Sequence, residues 1–255
     1  MKLIFFGTTG AVQTADNTNI SFSVIEEQAA ILVDASGSPC QNLLRIGVAV
    51  SDFDALILTH AHPDHMHALP VLIQNLLLKK RKKPLHIICN RATEKNAKQL
   101  LELFFIFPGM GTFPIEWVCG GNITFDRIPG MRVALFPVNH SIETSGLKIS
   151  TASASLIFSS DTAPSDRVIT EASGATALIH EATGSDRNRR ILNEDGHSTA
   201  LQAGEAAERA AVDTLFLCHF DFRQGLLPKE LQREAQMSFN GKVIIPELYR
   251  VYDVL

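Results

Sequence analysis

Short apolar runs recur along the chain: "KLIFF" from residue 2, "ISFSVI" from 20, "AAILVD" from 29, "ALILT" from 55, "LHIIC" from 85, "MRVALFPV" from 131, "SLIFSS" from 155, "ALIH" from 177, "TLFLC" from 214 and "KVII" from 242. Each is rich in Val, Ile, Leu or Phe, has the length of a strand, and is bounded by Gly, Asn, Asp, Ser or Pro. Between some of them lie segments that read as helices, over 66–80, 94–106, 199–211 and 228–238. The third opens on Thr199 with Gln202 three residues on, the pattern of a capping box. Strands cluster first and then alternate with helices, and no Pro/Gly/Ser-rich linker divides the chain. The pattern predicts one α/β domain over 1–255, with two mixed β-sheets packed together and helices outside. No repeat or low-complexity tract is visible in the sequence.

Composition changes this picture little. The 255 residues are 45% hydrophobic and 20% charged, those of an ordinary globular protein. A net charge of −4 gives no overall electrostatic case for nucleic acid or membrane binding. The opening "MKLIFFGTTG" is too short in apolar residues for a signal peptide, and no window has the length of a membrane span. Cys40, Cys89, Cys119 and Cys218 form no CxxC pair and fit reduced thiols. The expected compartment is therefore the cytoplasm.

The chemistry concentrates at "THAHPDHMH", residues 59–67, directly after an apolar run. In an extended segment side chains alternate, so His60, His62 and Asp64 share a side. Pro63 keeps His62 out of the α region and is tolerated in a helix's first turn, so the chain can turn helical and bring His65 beside Asp64. Imidazole nitrogens and a carboxylate converging in this way suit a divalent ion, zinc before manganese or iron. One ion cannot take all four groups and stay open to substrate; two can. Further donors end other apolar runs: His140 closes "MRVALFPVNH", Asp161 closes "LIFSSD" and His219 closes "TLFLCH". The expected division gives His60, His62 and His140 to one ion and Asp64, His65 and His219 to the other, with Asp161 bridging. Cys218 precedes His219 on the same run and should face away from the ions.

Three histidines stay outside this set. His67 reads as helix surface, His86 as a structural member of its strand, and His180 as facing away from the site by alternation. "KKRKK", 79–83, is the one dense basic run and reads as the solvated last turn of the helix before it. "LLELFFIFPGMGTF", 100–113, holds more aromatic residues than one amphipathic face needs, and reads as core together with a dimer contact.

Several longer segments carry a resemblance. The histidine loop is joined by "FFGTTGAVQTADNTNISFSV", "ILVDASGSPCQNLLRIGV", "LIHEATGSDRN" and "EDGHSTALQAGEAAERAAVDTLFLCHF". With it they resemble the metallo-β-lactamase fold superfamily, in its ribonuclease Z-like phosphodiesterase branch. The likeness runs from residue 1 to the terminal "RVYDV". It implies an αββα sandwich with a dinuclear site at one edge, metal ligands at the seven residues above, and a homodimer. It also implies that His197 helps the leaving oxygen depart, that Glu181 orients and charge-balances His197, and that Asp64 takes a proton from the attacking water.

The chain departs from the branch in a few places. Ala68 and Ser160 stand where the family usually has glycine. Only twenty residues separate His140 from Asp161, where bacterial ribonuclease Z carries a tRNA-gripping arm. The resemblance without the arm implies a phosphodiesterase acting on a small or cyclic phosphodiester. The alternatives are a tRNA 3′-end endonuclease anchoring RNA through 79–83, a thioester or sulfate-ester hydrolase, and a non-enzymatic RNA-binding module.

Overall fold

The ten apolar runs all form strands, and with four further strands they sort into two sheets of seven. The computed structural model describes residues 1–107, 109–110, 113–225 and 227–255. The first sheet has the order β14 (Val251–Asp253), β1 (Lys2–Gly7), β2 (Ser21–Glu26), β3 (Ala29–Val33), β4 (Ala55–Leu58), β5 (Leu85–Cys89) and β6 (Ile115–Cys119). The second has the order β13 (Lys242–Ile244), β12 (Thr214–Cys218), β11 (Ala177–Glu181), β10 (Ser155–Phe158), β9 (Ser145–Ser150), β8 (Met131–Pro137) and β7 (Ile123–Ile128). Pairing is antiparallel from β14 to β3 and parallel from β3 to β6. It is likewise antiparallel from β7 to β10 and parallel from β10 to β13. The two sheets thus repeat one pairing plan, although the sequence shows no repeat.

Strand alternation divides the apolar residues between two faces. Phe5, Phe22, Ile31 and Ile57 of the first sheet meet Val133, Ile149, Leu156 and Phe216 of the second. Phe22 and Phe158 meet edge to face across this layer at 5.1 Å. On the outer face of the first sheet, Leu32, Leu56 and Leu58 pack with α1 (Pro39–Arg45), α3 (Leu69–Leu78) and α4 (Arg91–Leu103). On the outer face of the second, Ile157, Leu178 and Leu217 pack with α5 (Asp166–Ala172), α7 (Ala200–Ala210) and α8 (Pro228–Gln236). Two short helices, α2 (Pro63–Met66) and α6 (Arg189–Glu194), lie in connections. This is the αββα sandwich of mixed sheets expected from the sequence. Among the described residues no helix is long and apolar enough to cross a membrane.

Helix limits differ from the sequence expectation for local reasons. Beyond Met66 the segment 66–80 is helical over 69–78 only, because α2 stops at that residue and α3 starts afresh with Pro70 in its first turn. The segment 94–106 begins earlier, at Arg91, because the Asn90 side chain accepts a hydrogen bond from Thr93 N at 2.7 Å. The capping box of Thr199 and Gln202 forms as read.

The basic run requires a correction. It lies past the end of α3, and its central Arg81 is buried rather than solvated. The Arg81 guanidinium donates to the carbonyl oxygens of Ser51, Phe53, Lys83 and Pro84 at 2.6, 2.9, 2.6 and 2.7 Å. Burial lowers its pKa to about 10, which leaves it charged at neutral pH. Arg81 is therefore a structural cation tying the loop before β4 to the loop before β5.

Candidate metal centre

The strand plan brings the tips of β3, β4 and β5 to the same region as those of β10, β11 and β12, with the end of β8 beside them. The first residues past several tips are bent sharply. Asp34, Ser160 and His219 adopt left-handed backbone conformations, with φ of 58°, 54° and 61°. For residues other than glycine this costs roughly 1–2 kcal/mol each, a strain that concentrates where side chains must be aimed. His62 is extended, with ψ of 149°, as the following Pro63 requires, and Pro63 opens α2, which carries Asp64 and His65.

All seven side chains expected at the centre converge. His60, His62, His140 and Asp161 form one group and Asp64, His65, Asp161 and His219 another, with donor atoms in each within 4.8 Å of one another. The two groups share Asp161, in the partition read from the sequence. Asp161 Oδ2 lies 3.6, 3.4, 3.9 and 3.1 Å from the Nε2 atoms of His60, His65, His140 and His219. His62 Nδ1 lies 3.1 and 3.2 Å from Nε2 of His60 and His140. Asp64 Oδ2 lies 3.5 and 3.6 Å from Nε2 of His65 and His219.

These spacings fit a metal. Ligands about 2.0–2.1 Å from a tetrahedral zinc ion stand roughly 3.3 Å from each other. His65 Nε2, His219 Nε2 and Asp161 Oδ1 are buried and make no hydrogen bond, an expense a protein seldom carries without a further partner.

The electrostatics agree. Burial, reinforced by the neighbouring His65, holds His60 well below the usual imidazole range. Burial also opposes charge on His65 and His219, yet the Asp161 carboxylate overcomes it, with Asp34 helping at His65. His65 is raised well above its ordinary value and His219 to about 10. Burial would raise Asp161, but His219 and His65 hold it well below the carboxylate range. Without a metal, protons supply the positive charge this cluster needs, and a metal would displace them.

Behind the cluster is a layer of partners that the sequence reading missed. Asp34 is fully buried, accepts from Thr59 N at 2.9 Å and lies 2.8 Å from His65 Nδ1. Thr59 Oγ1 lies 3.1 Å from His60 Nδ1. His140 Nδ1 lies 2.8 Å from Gly196 O, and a Cβ on Gly196 would stand 2.9 Å from that nitrogen, so only glycine fits (φ 84°). Asp34 carried the signal that identified Asp161, a carboxylate closing an apolar run; Thr59 stood first in the histidine loop and carried none.

His197 and Glu181 adjoin the centre. His197 Nδ1 lies 2.9 Å from Glu181 Oε1, and the His197 ring stacks on His219 at 5.2 Å. Glu181 also accepts from Thr162 N at 2.8 Å and from the Thr183 hydroxyl at 2.7 Å. Burial would raise Glu181, but His197 holds it below its ordinary value. Burial would lower His197, but the Glu181 charge and hydrogen bond raise it. His67, His86 and His180 stay outside the cluster: His67 is exposed, His86 lies 3.3 Å from Glu116 and His180 Nδ1 lies 2.8 Å from Glu181 O. Cys218 packs into the layer between the sheets, away from the donors.

Fold and site define a metallo-β-lactamase-like protein. Residues 29–220 match the model of the beta-lactamase superfamily domain, and the chain belongs to that family. It is 25% identical over 298 aligned positions to the Ribonuclease Z of Haloarcula marismortui, covering 97% of this chain and 94% of that protein. Its fold is similar to the metallo-beta-lactamase fold protein YhfI of Bacillus subtilis, with TM-score 0.83, 21% identity and 98% of each chain covered. It is also similar to the short form of human tRNase Z, with TM-score 0.82, 20% identity and 100% of each chain covered.

Proposed function

We propose that the protein is a metal-dependent hydrolase of phosphodiester bonds with a dinuclear centre. The convergence of seven donor groups at tetrahedral-edge spacing, with three buried donor atoms lacking hydrogen bonds, carries this reading. His60, His62 and His140 would hold one divalent ion, Asp64, His65 and His219 the other, and Asp161 both, with zinc the best match to the imidazole-rich set. Ions bound there would supply Lewis acidity, lowering the pKa of a bound water from far above neutral toward roughly 7. His219 and His65 lower the Asp64 carboxyl from its ordinary value against the effect of burial, so it stands ionised, the form in which it would take the proton of the attacking water. His197 gives its Nδ1–H to Glu181, leaving Nε2 to donate a proton to a departing oxygen.

The Ribonuclease Z names of the relatives support tRNA 3′-end cleavage over the small cyclic phosphodiester that the sequence led us to expect. One observation supports the smaller substrate: after His140 the chain forms only the β9–β10 hairpin before reaching Asp161. A homodimer belongs to the same proposal. Leu103, Phe104, Phe105, Phe107 and Met110 are exposed beside buried Leu101 and Phe113, while residues 108, 111 and 112 of this stretch lie outside the described ones.

The test compares hydrolysis of a precursor tRNA, cyclic nucleotides, a bis-aryl phosphate and a thioester by the metal-loaded protein, with Asp64→Ala as the blank. Precursor tRNA cleaved fastest assigns the endonuclease. Cyclic nucleotides cleaved fastest assign the smaller substrate, and turnover of the thioester alone rejects the reaction class.

A further inference from the structure

Four of the five histidines at the centre present Nε2 to it and Nδ1 to the protein behind. Two of those Nδ1 atoms meet an acceptor directly: His65 at Asp34 Oδ2 and His140 at Gly196 O, both at 2.8 Å. The other two meet a threonine hydroxyl. His60 Nδ1 is 3.1 Å from Thr59 Oγ1, and His219 Nδ1 is 3.0 Å from Thr183 Oγ1.

A hydroxyl has one proton to give and lone pairs to accept with. Thr183 Oγ1 lies 2.7 Å from Glu181 Oε2, and an ionised carboxylate can only accept, so the proton goes there. Thr59 Oγ1 lies 3.1 and 3.0 Å from the two oxygens of Asp34, which face Thr59 N and His65 Nδ1 as acceptors, to the same effect. Each hydroxyl is then left as an acceptor toward its imidazole. The imidazole must carry its proton on Nδ1 and turn a lone pair on Nε2 toward the centre. Both threonines are buried, Thr59 at 0% and Thr183 at 7% exposure, so the protein groups around them set the direction of their hydrogen bonds.

We propose that Thr59 and Thr183 are positioning residues that set the Nδ1–H tautomer of His60 and His219, each passing the hydrogen-bond direction of a buried carboxylate to a histidine that the carboxylate does not touch. The two carboxylates differ, since Asp34 follows β3 and Glu181 ends β11, yet the relay has the same three parts on both sheets. It readies both Nε2 atoms as ligands, that of His60 without an ion and that of His219 once the ion displaces its second proton, in the way that orienting partners tune metal-bound histidines generally. The inference rests on the metal-centre reading, because a preset Nε2 lone pair has its use in binding an ion.

The test removes the hydroxyl at constant shape with Thr183→Val and Thr59→Val and restores it with Thr183→Ser and Thr59→Ser. Zinc affinity, measured by competition with a chromophoric chelator, should fall about 10–100-fold in each Val variant and return to within a few-fold of wild type in each Ser variant. Ring-nitrogen NMR shifts should report Nδ1–H for His60 in metal-free wild type and for His219 in the zinc-loaded protein, and lose that signature only in the Val variants. Val variants with wild-type affinity and unmoved ring shifts would overturn the proposal, as would Ser variants as weak as Val. If Thr59→Val fails to fold, the Thr183 pair decides. Wild-type protein that takes up no zinc would reject the metal-centre reading itself, and the His60 tautomer in metal-free Thr59→Val would still decide the positioning role.

Discussion

Ser160 shows how a single residue registers the demands of the site. It is buried, its hydroxyl makes no hydrogen bond, and its φ of 54° lies where glycine is at ease. Ser160→Gly removes both penalties and adds some unfolded-state entropy, for a net gain of about 1 kcal/mol. Thermal melts of metal-free protein should show the rise; a lowered melting temperature would mean the serine has a partner in solution. For His197 the sign follows from its neighbours. Glu181 raises its pKa, so the proton-donating form persists above the ordinary imidazole value and turnover falls as pH rises through the raised one. Glu181→Gln leaves burial as the dominant influence and should move the alkaline limb of kcat to lower pH, while His197→Ala should lower turnover by about two to four decades with metal content intact. A limb that stays put in Glu181→Gln would remove His197 from the role. The donor residues were legible because each ends an apolar run or belongs to the dense histidine loop. The hydroxyls of Thr59 and Thr183 were not, since threonine is common at strand ends and its part depends on which carboxylate the fold places behind it.

At the scale of elements, the pattern of apolar runs located strands dense in Val, Ile, Leu or Phe and passed over strands that are short or sparse in them. β7, "ITFDRI", alternates apolar with charged residues; β9, "SGLKIS", holds two apolar positions; β14 is three residues long. Helix starts were set by caps rather than by apolar spacing, as Asn90 shows for α4. The basic run misled for a related reason, because four neighbouring lysines hid the one cation that the fold buries. Arg81 ties two loops through four carbonyl oxygens, so Arg81→Met should destabilise the protein by about 3 kcal/mol, the scale of hydrogen bonds made by a charged donor. Urea denaturation measures it, and the folded fraction should keep its metal content, since Arg81 does not touch the centre. A loss below about 1 kcal/mol would return the run to the solvated surface.

For the whole molecule, the division of donors between the sheets has a mechanical consequence. His60, His62, Asp64 and His65 follow β4 of the first sheet, whereas His140, Asp161 and His219 follow β8, β10 and β12 of the second. Each proposed ion takes ligands from both, so binding would join the two sheets at one edge of the layer between them. A ligand that binds only the folded state stabilises it by RT ln(1 + [L]/Kd), about 2.7 kcal/mol at a hundred times Kd. Chelation should therefore lower the melting temperature, and zinc added back should restore it. Acid should weaken that restoration, because His65 and His219 hold protons that the ion must displace. Replacing a donor of one ion on either sheet tests the joining directly: His219→Ala and His65→Ala should each shrink the zinc-dependent shift, although one residue belongs to the second sheet and the other to the first. A shift lost in only one of them would mean that an ion sits within a single half of the fold, and the bridging place of Asp161 would have to be given up.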